Sequence, residues 1–290
     1  MNLVERIKGG RFVVTCEVGS PKGVNSLGFL NTVDLVRNYV DAVMVGDNNR
    51  AVMRAAPLAI CQLLKSRNVE PLMELSTRDR NRLALQADLL GAGIAGVENI
   101  LLVEGHDLSV GDHVDARPVH DLDCAALVKA AATLTQGKDM TGHALDGAPE
   151  FCIGVEAMVG QVPADEQGER LRELVGQGAQ FLLTQPIYAP EMLESFVNSV
   201  SDLNVPVIVS HMTLRSASMA NFMNSNLPGV NVPRELVGEL EGLPRAELGE
   251  KSLQLSIDLL KKLKPFCQGI HLMPSGWEAY VPRIADAVVG

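Results

Sequence analysis

Short apolar runs recur along the chain, and each is followed by a longer segment with apolar residues at helical spacing. Eight of these runs have the length and composition of buried strands. Strands are predicted at Arg11–Val18, Asp41–Val45, Glu70–Leu75, Asn99–Val103, Phe151–Val155, Phe181–Thr184, Pro206–Ser210 and Gly269–Leu272. Helices are predicted at Leu27–Tyr39, Ala51–Arg67, Arg80–Ala92, Asp123–Leu134, Glu166–Gln177, Pro190–Ser201, Ser216–Asn224 and Trp277–Val288.

This order predicts a single α/β domain over residues 1–290, a (β/α)8 TIM-type barrel with extra helices between strands 7 and 8. Consecutive strands are too far apart for hairpins, so crossover helices must join parallel neighbours, and eight such units close most naturally as a barrel. The extra helical stretch runs from Pro233 to Leu263. A doubly wound open sheet is the alternative. Gly91–Gly96 has the glycine spacing of a dinucleotide-binding loop, but it follows a helix and precedes a strand, which favours a helix end and turn.

Composition narrows the range of partners. The formal net charge of -10 argues against nucleic acid, because phosphate contacts need clustered Lys and Arg. No stretch of 18 apolar residues predicts a membrane span, and the first six residues do not read as an export signal, so a cytoplasmic protein is expected. The five cysteines are an odd number, far apart and without a C-x-x-C pair, which predicts buried reduced thiols.

Polar residues follow the predicted strands at the end where a barrel carries its active site. Glu17, Glu74 and Gln185 are therefore expected to point at one mouth. Glu17 lies inside an otherwise apolar strand, where a carboxylate is costly unless it is paired or used, and where burial raises the pKa toward the range of a general acid. A salt-bridged carboxylate at a strand end is the plainer interpretation of Glu17.

Other strand-end residues also have a structural interpretation. Asp47 and Asn48 suit a helix N-cap before Ala51, and Ser76 or Thr77 suits another, because such side chains accept from free backbone N–H groups. Taken singly, capping is favoured at these positions. A functional role depends on the side chains meeting at the mouth.

Three histidines lie seven residues apart, at His106, His113 and His120, among several aspartates. A metal site needs two ligands at i and i+4 on a helix or ligands at short spacing on adjacent turns, and neither pattern occurs. The segment is interpreted as a solvated loop with one histidine in the pocket, and no metal is expected.

In this order, the strand-end segments resemble the methylenetetrahydrofolate reductase family from about strand 1 to strand 8. The resemblance rests on Glu17 with Pro21-Lys22, Asp47–Ala51, Glu74–Asn81, Gly105, Pro118–Asp123, Gly178-Ala179, Thr184–Pro186 and Gly269–Pro274. No single motif is decisive, but the order and the matching strand positions make chance agreement improbable.

The resemblance implies a reaction and a set of site residues. In the family, 5,10-methylenetetrahydrofolate opens to a 5-iminium ion, and hydride from reduced FAD converts it to 5-methyltetrahydrofolate. Glu17 matches the proton donor, and Gln185 matches the residue that hydrogen-bonds the pterin, a task that suits an amide with both donor and acceptor. The other implied positions are His106 and Asp107 in catalysis, Tyr188 at the folate, and Asp47, Asn48, Glu74, Ser76, Gly105, His106, His120, Asp123 and Arg170 at the cofactor.

Two departures from the family pattern bear on that chemistry. His106 stands where relatives usually carry an aspartate, with Asp107 one step later, so either Asp107 substitutes through a shifted loop or the electronics of the site differ. The turn after strand 5, Glu156–Gly160, lacks the Asn-Pro pair of many relatives.

A third departure concerns the phosphates of the dinucleotide. Glu104, Glu173 and Leu174 occupy positions where relatives hold them with basic residues. Carboxylates near a pyrophosphate weaken its binding unless Arg170 and Arg172 compensate.

Three functions are therefore considered. The first is a flavin-dependent reductase, with FAD and with NADH, NADPH or a partner subunit as electron source. The second is a flavin-free paralogue that keeps the folate pocket and uses a nicotinamide directly or exchanges methyl groups with a carrier subunit. The third is a non-catalytic subunit of a one-carbon complex, which the pair Glu17 and Gln185 argues against. A homo-oligomer is possible for any of them.

Overall fold

The computed structural model describes residues 1–160 and 164–290, in which eight parallel strands close into a barrel. Each strand pairs with its successor, and the last pairs with the first. The strands are β1 Val13–Glu17, β2 Ala42–Val45, β3 Pro71–Ser76, β4 Asn99–Val103, β5 Cys152–Ala157, β6 Phe181–Pro186, β7 Val207–Met212 and β8 Gly269–Met273. The predicted (β/α)8 barrel is thus confirmed.

Helices surround the barrel. They are α1 Leu3–Lys8, α2 Leu27–Val36, α3 Pro57–Lys65, α4 Arg82–Ile94, α5 Cys124–Thr135, α6 Ala164–Gln177, α7 Pro190–Ser199, α8 Ala217–Asn226, α9 Arg234–Gly238, α10 Arg245–Leu263 and α11 Val281–Val289. The extra helices predicted between β7 and β8, over Pro233 to Leu263, are α9 and α10. None of the helices described is long and apolar enough to cross a membrane.

The short helix α1, which the sequence pattern did not predict, covers the amino ends of the strands. Its Leu3 and Val4 are buried in the cluster that fills the barrel interior. The backbone N–H of Leu3 donates to Asn99 Oδ1 over 2.9 Å, which satisfies a polar side chain at the start of β4. The amino end of the barrel is therefore closed.

Side chains alternate along each strand between this interior cluster and the layer under the helices, as the period of a strand requires. Val13, Leu72, Leu101 and Phe181 point inward, and their sequence neighbours pack outward. Gly154 also faces inward, where a Cβ atom would lie 2.1 Å from the Phe181 ring. On each strand, the next inward-facing residue beyond the apolar ones, toward the carboxyl end, is consequently the residue that reaches the mouth of the barrel.

The helix predicted over Ala51–Arg67 begins later than expected. A tight turn, Asn49–Ala51, replaces its first part, and α3 starts only at Pro57, where the fixed φ of proline suits the first helical position. In the turn, Asn48, Arg50 and Ala51 have φ of 52°, 57° and 53°. Asp47 and Asn48 are therefore not a helix N-cap, and that interpretation was wrong.

The glycine segment forms a helix end, as predicted, with one difference. Gly96, at φ 72°, lies in the turn after α4, but Gly91 and Gly93 lie inside the helix. A Cβ at Gly91 would come within 2.9 Å of Leu58 in α3. Gly91 thus permits close packing of the two helices. All five cysteines are buried free thiols, as predicted.

Candidate active site

Three carboxyl groups meet at the open end of the barrel. Glu17, Glu74 and Glu156 continue the inward-facing rows of β1, β3 and β5. Burial raises the pKa of each carboxyl above its ordinary value. For Glu74, the N–H of Asp47 at 3.1 Å opposes that rise, while the negative charges of Asp47, Glu17 and Glu156 add to it. The floor of the mouth thus favours protonated carboxyl groups.

Glu17 is held by an amide rather than by a cation. Its Oε1 accepts from Asn49 Nδ2 over 3.0 Å, a contact that partly offsets the effect of burial on its pKa. Gly46 leaves room for this amide, since a Cβ there would lie 2.3 Å from Asn49 Nδ2. Within residues 1–160 and 164–290 no basic group pairs with Glu17, so the salt-bridge interpretation was wrong.

Below Glu17, β1 and β8 carry a buried hydrogen-bonded pair. Thr15 Oγ1 lies 2.8 Å from His271 Nδ1. Burial lowers the pKa of His271 to about 3, so its ring is neutral. Its Nε2 is buried without a partner among the described residues. His271 was not predicted as a site residue, although a histidine inside an otherwise apolar strand was a signal for one.

The Asp47 carboxylate is hydrogen-bonded within the protein. Its Oδ2 accepts from the N–H and the hydroxyl of Ser76 at 2.9 and 3.0 Å. Arg80 donates to both carboxylate oxygens at 2.7 and 3.1 Å. These contacts tie the ends of β2 and β3 together. Ser76 is not a helix cap; Asn81 caps α4. Cofactor contacts by Asp47 and Ser76 stay predictions, and both side chains already have partners.

Asn48 and Arg78 form a neighbouring network. Asn48 Nδ2 donates to Asp79 at 3.2 Å, and Asn48 Oδ1 accepts from the Arg54 N–H at 2.9 Å. Arg78, almost completely buried, binds both oxygens of Asp79 at 2.7 and 2.6 Å and donates to the His106 carbonyl at 3.0 Å. The positive charge of Arg78 is therefore neutralised within the protein.

His106 is exposed at the rim, and its Nδ1 accepts from the Arg50 N–H at 3.3 Å. Desolvation of the ring and the charges of Arg78 and Arg50 lower the pKa of His106, so the neutral form is favoured at neutral pH. Asp107 instead caps the next turn by accepting from the Ser109 N–H at 2.7 Å. Catalytic roles for His106 and Asp107 stay predictions.

The residues expected to contact the cofactor near β3, β4 and β5 mostly contact neighbouring parts of the protein. Gly105 has φ 88° and passes so close to Arg78 that a Cβ would lie 3.1 Å from its Cβ. His120 Nδ1 lies 3.3 Å from Thr77 Oγ1. Asp123 caps the first turn of α5, and Arg170 donates to the Glu156 carbonyl at 3.2 Å.

Gln185 and Tyr188, both expected at the folate, lie in different layers. Gln185 is at the carboxyl end of β6, with Nε2 donating to the Val159 carbonyl at 2.5 Å. Tyr188 is buried in the layer outside the barrel, where its hydroxyl donates to the Met212 carbonyl at 2.6 Å and its ring packs edge-on against His211 at 5.6 Å. The structure brings Gln185 to the mouth with Glu17 and Glu74, but not Tyr188.

Glu156 was not among the predicted site residues, because the strand was expected to end at Val155 and the turn to begin with Glu156. In the structure β5 continues to Ala157, so Glu156 becomes the third inward residue after Cys152 and Gly154. The alternation of these three positions was the signal that could have identified it.

The residues at the expected flavin position do not fit the pyrophosphate of FAD. Arg78 and Arg80 are paired with aspartates. Arg170 lowers the pKa of Glu156, which offsets part of the rise from burial. Arg172, considered as compensation, pairs with Asp202 on the outer surface at 2.8 Å. Glu104 and Glu173 are exposed carboxylates, so the acidic groups outnumber free cations on this side.

A parallel eight-stranded barrel with polar side chains collected at the carboxyl ends of its strands is the arrangement of TIM-barrel enzymes. The family model described as methylenetetrahydrofolate reductase matches residues 2–288, and the chain belongs to this family. A solved structure of an uncharacterized protein from Clostridium thermocellum is similar over 98% of both chains, with a TM-score of 0.65 and 16% identity. That protein binds two copies of 5-methyl-5,6,7,8-tetrahydrofolic acid. Comparison with curated proteins finds no match.

Proposed function

We propose that the barrel mouth binds a reduced folate and that the protein interconverts 5,10-methylenetetrahydrofolate and 5-methyltetrahydrofolate. The observation that carries this proposal is Glu17, a half-buried carboxyl with a raised pKa and no cationic partner among the described residues. Family membership and the folate bound by the Clostridium protein support the choice of ligand.

In the proposed reaction, Glu17 in its protonated form gives its proton to the folate as the bond between the one-carbon unit and N10 breaks. The product of this step is a 5-iminium cation, to which a hydride adds to give the 5-methyl group. The Glu17 carboxylate that this proton transfer leaves behind favours that cation through its opposite charge. Asn49 holds Glu17 in place, and the amide of Gln185 suits the edge of the pterin.

The hydride comes from a reduced two-electron carrier. FAD supplies it in the family, but the charges described on the β3–β5 side do not fit tight binding of a dinucleotide. We therefore propose a carrier that binds weakly or transiently, such as NADH, NADPH or the cofactor of an electron-supplying partner subunit.

Glu17→Gln tests the proton donor, because it removes the acid with little change in volume. The expected result is loss of folate turnover with folate binding retained. Gln185→Ala is expected to weaken folate binding without unfolding the barrel. Normal turnover in Glu17→Gln removes it as the acid, and an unchanged folate dissociation constant in Gln185→Ala removes that residue from the site.

A flavin-free folate-binding protein that takes part in methyl transfer is the second candidate. Two observations favour it: the unfavourable charges for a pyrophosphate, and the two folate molecules bound by the Clostridium protein. In this case a second folate occupies the space that flavin takes in the reductases. A non-catalytic scaffold is disfavoured, since it has no use for three inward carboxyl groups.

Absorption spectra and calorimetric titrations separate the two candidates. A reductase binds one 5-methyltetrahydrofolate per chain and, when supplied with its carrier, oxidises it. The second candidate stays colourless on addition of FAD and binds two equivalents of 5-methyltetrahydrofolate. If the protein binds FAD and folate bleaches the flavin absorption bands, the conclusion that the charges of the site do not fit the FAD pyrophosphate is contradicted.

A further inference from the structure

Of the three carboxyl groups at the floor of the mouth, that of Glu156 alone receives no hydrogen bond from the part of the chain that the structure describes. Glu17 accepts from Asn49, and Glu74 accepts from a backbone N–H. Arg170 donates to the backbone carbonyl of Glu156 rather than to its carboxyl group. Because Glu156 is only half-buried, its carboxyl oxygens are open to a ligand in the mouth.

Gln185 lies beside Glu156, at the carboxyl end of the next strand. Glu156 pairs with Leu183 across β5 and β6, and Gln185 is the next inward position along β6. Its Nε2 donates to the Val159 carbonyl, and because a carbonyl only accepts, this contact identifies which end of the amide is the nitrogen. Gln185 is nine-tenths buried, yet within residues 1–160 and 164–290 no group donates to its Oε1.

The wall of the mouth at β5 and β6 therefore presents hydrogen-bond acceptors. An ionised carboxyl group only accepts, and it accepts well from two parallel N–H groups, as it does from a guanidinium. A pterin offers that arrangement at one edge, where N3–H and the 2-amino group lie side by side. A flavin has a carbonyl oxygen in place of that amine, and a carboxylate repels this oxygen.

A ligand with two such donors favours the charged form of Glu156. Burial raises the pKa of the Glu156 carboxyl, while the positive charge of Arg170 opposes that rise. Hydrogen bonds from a ligand to the carboxylate act in the same direction as Arg170. A donor-rich edge therefore gains more from this wall than an edge that carries acceptors.

Resting on the folate proposal above, we propose that Glu156 determines ligand specificity, its carboxylate accepting from N3–H and the 2-amino group of the pterin. Gln185 Oε1 adds an acceptor beside it. The neighbouring β4 loop does not compete for this task through Asp107, which is exposed and caps the turn at Ser109. The contact selects a 2-aminopyrimidinone ring and rejects rings that carry oxygen or carbon at that position, flavins included.

Two ligands test this with the full-length protein: 5-methyltetrahydrofolate and its 2-desamino-2-methyl analogue, in which a methyl group replaces the amine. Both dissociation constants are measured by calorimetry. The wild-type protein is expected to bind the parent folate about ten- to a hundred-fold more tightly, because the analogue loses a hydrogen bond to a charged group.

In Glu156→Ala this preference is expected to shrink by about ten-fold or more, because the parent folate loses affinity and the analogue does not. Glu156→Gln is the second variant, since it keeps the shape of the side chain but turns an N–H group toward one of the pterin donors. Glu104→Gln is the matched control for loss of charge: this exposed carboxylate follows β4 and acts on Glu156 only through its charge. It should change the affinity for both ligands alike and leave their ratio as in the wild type.

The outcomes are distinguishable. If the wild-type protein binds both ligands equally, or if Glu156→Ala and Glu156→Gln keep the wild-type preference, the role of Glu156 is overturned while folate binding stands. If Glu156→Ala does not fold, the ratio in Glu156→Gln decides. If the wild-type protein binds neither ligand, both this inference and the proposed function are overturned.

Discussion

Removing the amide of Asn49 is expected to raise the pKa of Glu17 further. Asn49 Nδ2 donates to Glu17 Oε1 at 3.0 Å, and this hydrogen bond favours the charged carboxylate. A buried hydrogen bond to a charged group contributes about 1.5–3 kcal/mol, and because Glu17 is half-buried the lower limit applies. About 1.4 kcal/mol corresponds to an upward shift of about one pKa unit in Asn49→Ala.

The sign of the effect on activity follows from the role of Glu17 as a proton donor. The donor works when protonated, so turnover falls as the pH rises through its pKa. In Asn49→Ala this falling limb is expected about one pH unit higher than in the wild type. The midpoint is measured directly by 13C NMR of labelled glutamate carboxyls, with Glu17→Gln to assign the signal, and independently from the pH dependence of folate turnover.

Asn25→Ala is the matched control, because Asn25 is an exposed asparagine near the mouth whose side chain accepts from the Leu27 N–H. It should leave the midpoint of Glu17 in place. A midpoint that is unchanged or lower in Asn49→Ala would refute the reasoning, since it would mean that the amide does not stabilise the charged carboxylate.

Three further substitutions test the surroundings of the site. Asp47→Asn breaks the buried ion pair with Arg80 and is expected to lower the free energy of unfolding, measured by urea denaturation, by about 3 kcal/mol. A loss under about 1 kcal/mol would contradict a stabilising role for this pair. Glu74→Gln should gain stability over the wild type as the pH rises from about 4 to 8. Burial raises the folded-state pKa of Glu74, so the wild type loses the stability linked to its protonated form as the pH rises through that pKa. A stability difference that is independent of pH in thermal unfolding would contradict this. Tyr188→Phe removes the hydrogen bond to Met212 and should cost about 1 kcal/mol without changing the folate dissociation constant; weaker folate binding would return Tyr188 to the site.

The fold could be predicted from the sequence because hydrophobic periodicity indicates which side of each helix or strand is buried. Asn99–Val103 was predicted with the bounds observed, as its apolar run is bordered by polar residues on both sides. The start of α3 was not predictable in this way. Asn48, Arg50 and Ala51 adopt positive φ through contacts with the distant β4 loop, and such tertiary constraints leave no local pattern.

Only part of the candidate site could be predicted from the sequence. Glu17 and Glu74 stood out as carboxyl groups in apolar strands, whereas Glu156 was missed because the end of β5 was placed two residues too early. Tyr188 was expected at the folate from the resemblance to the family. In the structure the chain turns outward past Pro186, so Tyr188 packs under the helices instead.

Soaking or co-crystallisation with 5-methyltetrahydrofolate would show where the ligand lies. We predict a pterin against Glu17, Glu74 and Gln185 at the carboxyl ends of the strands. A folate bound outside the mouth, or a mouth that stays free of folate at saturating ligand, would contradict the proposed function.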